Sequence, residues 1–143
     1  MSSIRFKLVA LSGLKFDEDV YEILLPTMDG QIGVLPGHMP LVSVATHGVI
    51  GVRRSANDKD DMIEYFATNG GVIEVKDNIL SVLVDEADRS DEINEQEAKE
   101  AYELANKMKL EAKDQVSLEH AQSLIDRQSV RLQVAGLKRR RHH

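Results

Sequence analysis

Apolar and polar residues alternate at Ile4, Phe6, Leu8 and Ala10, a period of two that puts every apolar side chain on one face of an extended strand. Runs rich in Val, Ile and Leu follow at residues 20–25, 49–53, 62–67, 72–75 and 79–84, parted by Gly, Pro, Asn and Asp. Branched side chains bounded by turn formers predict further strands. Asp77 and Asn78 stand between two of these runs, and both tolerate the positive φ that a two-residue hairpin turn requires. The charged stretch at residues 55–61 predicts an exposed hairpin loop. Such a series of short strands closes most naturally as an antiparallel β-sandwich or flattened barrel.

Near Asp88 the period changes from two to the three-and-four spacing of a helix. Asn94 is a good N-cap, Glu97 stands three residues on to complete a capping box, and Ile93 occupies the position of a hydrophobic staple. Ala98, Ala101, Ala105, Met108 and Ala112 make a stripe of mostly small residues, over which a second helix can approach closely. Leu118, Ala121, Ile125, Leu132 and Ala135 form a matching stripe, interrupted by Gln128 and separated from the first by a short break around residues 114–117. A short connection predicts an antiparallel helical hairpin. The expected fold class is therefore α+β: a sandwich over residues 1–87 and a two-helix hairpin over residues 88–143. An alanine-rich seam buries little apolar area at roughly 25 cal/mol per Å². The hairpin is accordingly expected to be marginal by itself and mobile.

Charge refines this division. The chain of 143 residues carries a net −6. Residues 1–87 hold 7 Lys+Arg against 13 Asp+Glu, whereas residues 88–143 balance at 11 of each. Within the hairpin, residues 88–114 are net −4 and residues 115–143 net +4. Opposite signs on adjoining segments report on internal or external partners. The absence of cysteine excludes disulfides and thiolate metal sites. No stretch of about 18 apolar residues could span a bilayer, and no amino-terminal segment has the layout of a signal or transit peptide, so an unprocessed protein with no direct membrane insertion is expected. The five histidines show no ligand spacing, and His142 with His143 are equally readable as native or as a cloning remnant. No nucleophile with an adjacent base is evident, so no catalytic residue and no metal are assigned.

The segment GQIGVLPGHMPLV at residues 30–42, joined by GGVIEV at residues 70–75 and RLQVA at residues 131–135, resembles the epsilon subunits of F-type ATP synthases over essentially the whole chain. The resemblance implies a sandwich of about ten strands with two helices behind it. It implies a non-catalytic rotor subunit of the central stalk, whose sandwich grips the gamma subunit and touches the ring of c subunits. No nucleic-acid partner is implied. The implied contact loop comprises Gly30, Gln31, Gly33, Pro36, Gly37, His38 and Pro40. Gln31 stands where family members commonly carry an acid, and His38 matches the family's histidine. The implied location is peripheral, on the cytoplasmic face of a bacterial inner membrane or the stromal face of a thylakoid.

For the hairpin, the resemblance implies a regulatory arm that extends toward the alpha and beta subunits and inhibits ATP hydrolysis. Arg127, Arg131, Lys138, Arg139, Arg140 and Arg141 make the last helix basic, suited to an acidic loop on the beta subunits. Taken alone, the same residues are equally a helix end complementing its dipole and a solvated tail. Some family members bind ATP in the folded hairpin through an Ile-Asp-x-x-Arg-Ala start and arginines on the second helix. Here Ile93 and Ala98 match, but Asn94 stands for the aspartate and Glu97 for the arginine, while Arg127 and Arg131 are retained. Weak or absent ATP binding is expected, and no other cofactor. The alternative function is a free-standing ATP-binding sensor.

Overall fold

In the computed structural model, which describes residues 2–141 with side chains as far as Leu137, the amino-terminal alternation becomes strand β1 (Ile4–Ala10), with every second residue buried. It pairs antiparallel with β2 (Gly13–Val20) and parallel with β7 (Ile79–Val84). The remaining strands are β3 (Glu22–Thr27), β4 (Gly30–Val34), β5 (Leu41–Arg53), β6 (Glu64–Lys76) and β8 (Ala87–Arg89). They complete one hydrogen-bonded sheet of order β2-β1-β7-β6-β5-β3-β4, with β8 added along β6. Its inner residues form one core, filled by Ile4, Phe6, Leu8, Ile23, Leu25, Ile50, Phe66, Ile73 and Leu80, all of them essentially inaccessible to water. Every member of that core lies between Ile4 and Ala87, so the sandwich is complete without the helices.

The eight strands come close to the count of about ten implied by the resemblance, and two of the predicted runs are fused. Residues 64–67 of one run and the run at 72–75 belong to a single strand, β6, of 13 residues. Between them Gly70 takes φ 108°, and its opposite number Thr46 drops out of the ladder with β5. At Gly71 a side chain is excluded outright, because a Cβ there would lie 1.9 Å from the Leu83 carbonyl oxygen. The turn of Asp77 (φ 54°) and Asn78 (φ 61°) is as predicted. Residues 55–61 form the expected exposed connection, closing in a 3-10 turn at Asp60–Met62.

Strand pairing continues through β8 and is followed by a 3-10 turn at Ser90–Glu92. Helix α1 (Glu95–Glu111) then begins with Asn94 as N-cap, its side chain accepting from the Glu97 N–H. Ile93 packs on the contact between α2 and the sheet, joining Val130 and Val134. The break falls at residues 112–114, a little before its expected place, and α2 (Gln115–Arg141) is 27 residues long. Asp114 caps it: its carbonyl accepts from Leu118 N–H and its carboxylate from Ser117 N–H at 2.7 Å. The predicted stripes are buried in part, with Ala98, Ala105, Ala121, Ile125, Gln128 and Ala135 inaccessible or nearly so. A second apolar face on α2, Val130 and Val134, packs on Ala67 of β6 with Val49, Tyr65 and Ile93 around it. The hairpin is therefore docked on the sandwich.

Candidate functional site

The outer face of the sheet carries the first candidate surface. Register places Val44 beside Val72, Val72 beside Leu83, Leu83 beside Val9 and Val9 beside Leu14, across β5, β6, β7, β1 and β2. Paired residues in adjacent strands share a face, so these five make one apolar row across the sheet. Val44, Val72, Leu83 and Leu14 are each more than half exposed. Val42, one step along β5, is 73% exposed. A contiguous apolar strip of this kind on a face that is otherwise polar marks an interaction surface. Composition alone does not reveal it, since it depends on register between five strands.

The residues of the GQIGVLPGHMPLV segment do not form one loop. Gly30, Gln31 and Gly33 lie in β4, on the open edge of the sheet, where Gln31 pairs with Pro26 and is exposed. Pro36, Gly37 and His38 lie beyond the far end of that strand, in a turn closed by His38 N–H donating to the Leu35 carbonyl. Gly37, at φ 77°, donates its N–H to Asn78 Oδ1 at 2.8 Å, while the Asn78 amide donates to the Ser3 carbonyl. The His38 ring Nδ1 lies 2.7 Å from its neighbouring Met39 carbonyl oxygen. Asn78 therefore ties the turn to the sandwich.

The second candidate surface lies between α2 and β8. Arg127 Nη2 is 2.6 Å from Glu86 Oε2, and Arg131 Nε is 3.3 Å from Asp88 Oδ2. Arg131 also donates to Gln128 Oε1, and Glu86 N–H donates to Asn69 Oδ1. A cleft of about 530 Å³ runs beside these pairs, lined by residues that include Ser12, Lys15, Asn69, Glu86, Asp88 and Arg127. The two arginines thus face the sandwich's carboxylates. Of the other residues of the ATP pattern, Asn94 is occupied in capping and Glu97 is exposed on the first turn of α1. The side chains of Lys138, Arg139, Arg140 and Arg141 and both carboxy-terminal histidines lie outside the described residues. Among the described residues no cluster of His, Asp or Glu is disposed to hold a metal, and no helix is long and apolar enough to cross a membrane.

Comparison with known proteins gives this geometry its context. A family model for the beta-sandwich domain of the ATP synthase delta/epsilon chain matches residues 3–90. The ATP synthase epsilon chain of Synechococcus elongatus is 35% identical over 136 residues, covering 94% of this chain and 96% of the relative. The epsilon chain of a second Synechococcus strain gives the same figures. Among solved structures, a chain of the Euglena gracilis mitochondrial ATP synthase, OSCP/F1/c-ring, aligns with TM-score 0.78 at 21% identity, covering 94% of this chain and 82% of that one. A chain of the Tetrahymena thermophila mitochondrial ATP synthase central stalk and c-ring aligns with TM-score 0.58 at 15% identity, covering 93% and 95%. These two structures bear on the fold.

Proposed function

The chain belongs to the family of ATP synthase epsilon chains, and on that basis we propose that its sandwich docks on gamma through the apolar row from Val44 to Leu14 and couples gamma to the c ring. It is a non-catalytic subunit of a membrane-associated complex. The row is the observation that carries the docking reading. It is broad, lies on a rigid sheet, and leaves apolar side chains in water unless a partner covers them. The solved relatives in which this fold occurs are described as ATP synthase assemblies with a c-ring, which supports the same placement for this chain.

The ring contact belongs along the open β4 edge of the sandwich, where Gln31 near the start of the strand and the turn of Pro36, Gly37, His38 and Pro40 beyond its end supply two short segments for it. A neutral amide at Gln31 contributes hydrogen bonds in place of charge. The subunit sits peripherally, at the cytoplasmic face of a bacterial inner membrane or the stromal face of a thylakoid. The hairpin acts as an arm that reaches the alpha and beta subunits and restrains ATP hydrolysis.

Leu83→Glu tests the docking. Leu83 is 60% exposed, so the charge leaves the fold within about 0.5 kcal/mol of the parent while placing a carboxylate in the centre of the row. Copurification with gamma is expected to be lost with the sandwich still folded. Undiminished copurification overturns the assignment of this face.

A further inference from the structure

We propose that the hairpin is held closed on the sandwich by an electrostatic clasp, Arg127 on Glu86 and Arg131 on Asp88, which high salt opens without unfolding the sandwich. Three features of the contact lead there. Its apolar part is small: Ala67, Val130 and Val134 are the buried members, against the large core of the sandwich. The charged part matches in spacing. Arginines four apart on a helix are separated by about 6 Å along its axis, and carboxylates two apart on extended chain by about 6.6 Å, so both pairs close together. Both partners are also held ready, Glu86 by its backbone bond to Asn69 and Arg131 by Gln128, which is buried.

The clasp is loose in a way that suits release. Arg127 Nε, Arg131 Nε and Glu86 Oε2 are shut from water yet find no hydrogen-bond partner among the described residues. The pairs meet ion-pair distances without the alignment of charge-assisted hydrogen bonds. Part of the desolvation on closing is therefore left uncompensated, and the attraction that remains is Coulombic and open to screening. A consequence follows for the arm, resting on the regulatory reading given above. While the clasp is closed, Arg127 and Arg131 are spent on Glu86 and Asp88 and are unavailable to an acidic surface on another subunit.

The test is hydrogen exchange on the full chain, with the sandwich amides as internal reference. In E86Q/D88N, exchange in the helices is expected to rise about 5- to 30-fold with β1, β6 and β7 unchanged. Raising salt to about 1 M, where the screening length falls to about 3 Å, is expected to accelerate the same amides in the parent and to have little effect in E86Q/D88N. Reversing one pair, E86R with R127E, is expected to restore protection that either single change removes. Equal protection in parent and E86Q/D88N, or an equal salt response in both, overturns the clasp. ATP hydrolysis by the complex reassembled with E86Q/D88N separates the two readings. If exchange rises as expected and hydrolysis does not fall, the clasp stands and the inhibitory role of the arm is wrong.

Discussion

Asp114 shows how much a single residue can be asked to do at the bend of the hairpin. Its carboxylate accepts from the Ser117 N–H and hydroxyl, which holds its pKa below the ordinary value against a smaller opposing effect of desolvation. A carboxyl with a depressed folded pKa stabilises the fold above its unfolded pKa, and that contribution disappears as pH falls through the folded value. The first turn of α2 is thus expected to fray as pH falls below the ordinary aspartate value of about 3.9, read from the NMR shifts of residues 115–118. Asp114→Asn keeps an N-cap acceptor without titrating, so its first turn should hold across that range. If parent and variant fray alike, the cap is not the cause. Asp77, Asn78 and Asn94 were legible from sequence because each acts locally, the first two through their own positive φ and Asn94 on the N–H three residues on. Asn78's bonds to Gly37 and Ser3 were not, since the partners lie 41 and 75 residues away.

At the scale of elements, the readings that failed concern neighbours that a one-dimensional period does not see. Strand β2 reads GLKFDEDV and escaped notice because only Phe16 and Val20 of it are buried. It is an edge strand, paired with β1 alone, and its outward carboxylates Asp17 and Asp19 serve Arg5. In α2 the predicted stripe accounts for one side, while Val130 and Val134 form another that exists only because the sheet lies beneath it. Val134 is fully buried, so Val134→Ala is expected to cost about 2 kcal/mol, lost from the docking of the hairpin with the sandwich unaffected. Helix protection falling while strand protection holds would bear this out, and a uniform fall would refute it. Nucleotide binding is decided on the same elements. An ATP phosphate reaching Arg127 and Arg131 must displace Glu86 and Asp88, so calorimetry is expected to give a Kd no tighter than about 1 mM. A markedly tighter value would show that the clasp yields to nucleotide.

For the molecule as a whole, the sandwich and the hairpin differ in how each is held, and that difference bears on what each can do in an assembly. The sandwich has a continuous core confined to residues 4–87, reinforced by Arg53 with Glu22 and Asp60 and by Arg54 with Glu18 and Glu64. It can bear load through its apolar row without help from the helices. The hairpin depends on a few apolar contacts and two ion pairs, and it carries the charge division between an acidic α1 segment and a basic α2 segment. The arginines of α2 turn to the carboxylates around β8, and Lys109 with Gln122 joins the helices by a neutral-acceptor bond. Truncation separates the roles. A chain ending at residue 114 keeps the whole sandwich core, so it should still copurify with gamma. If the arm restrains hydrolysis, the complex reassembled with this chain should hydrolyse ATP about 5-fold faster or more, the lower end of typical couplings between sites. Normal assembly with an unchanged rate would leave the sandwich as the working part and the hairpin without a regulatory role.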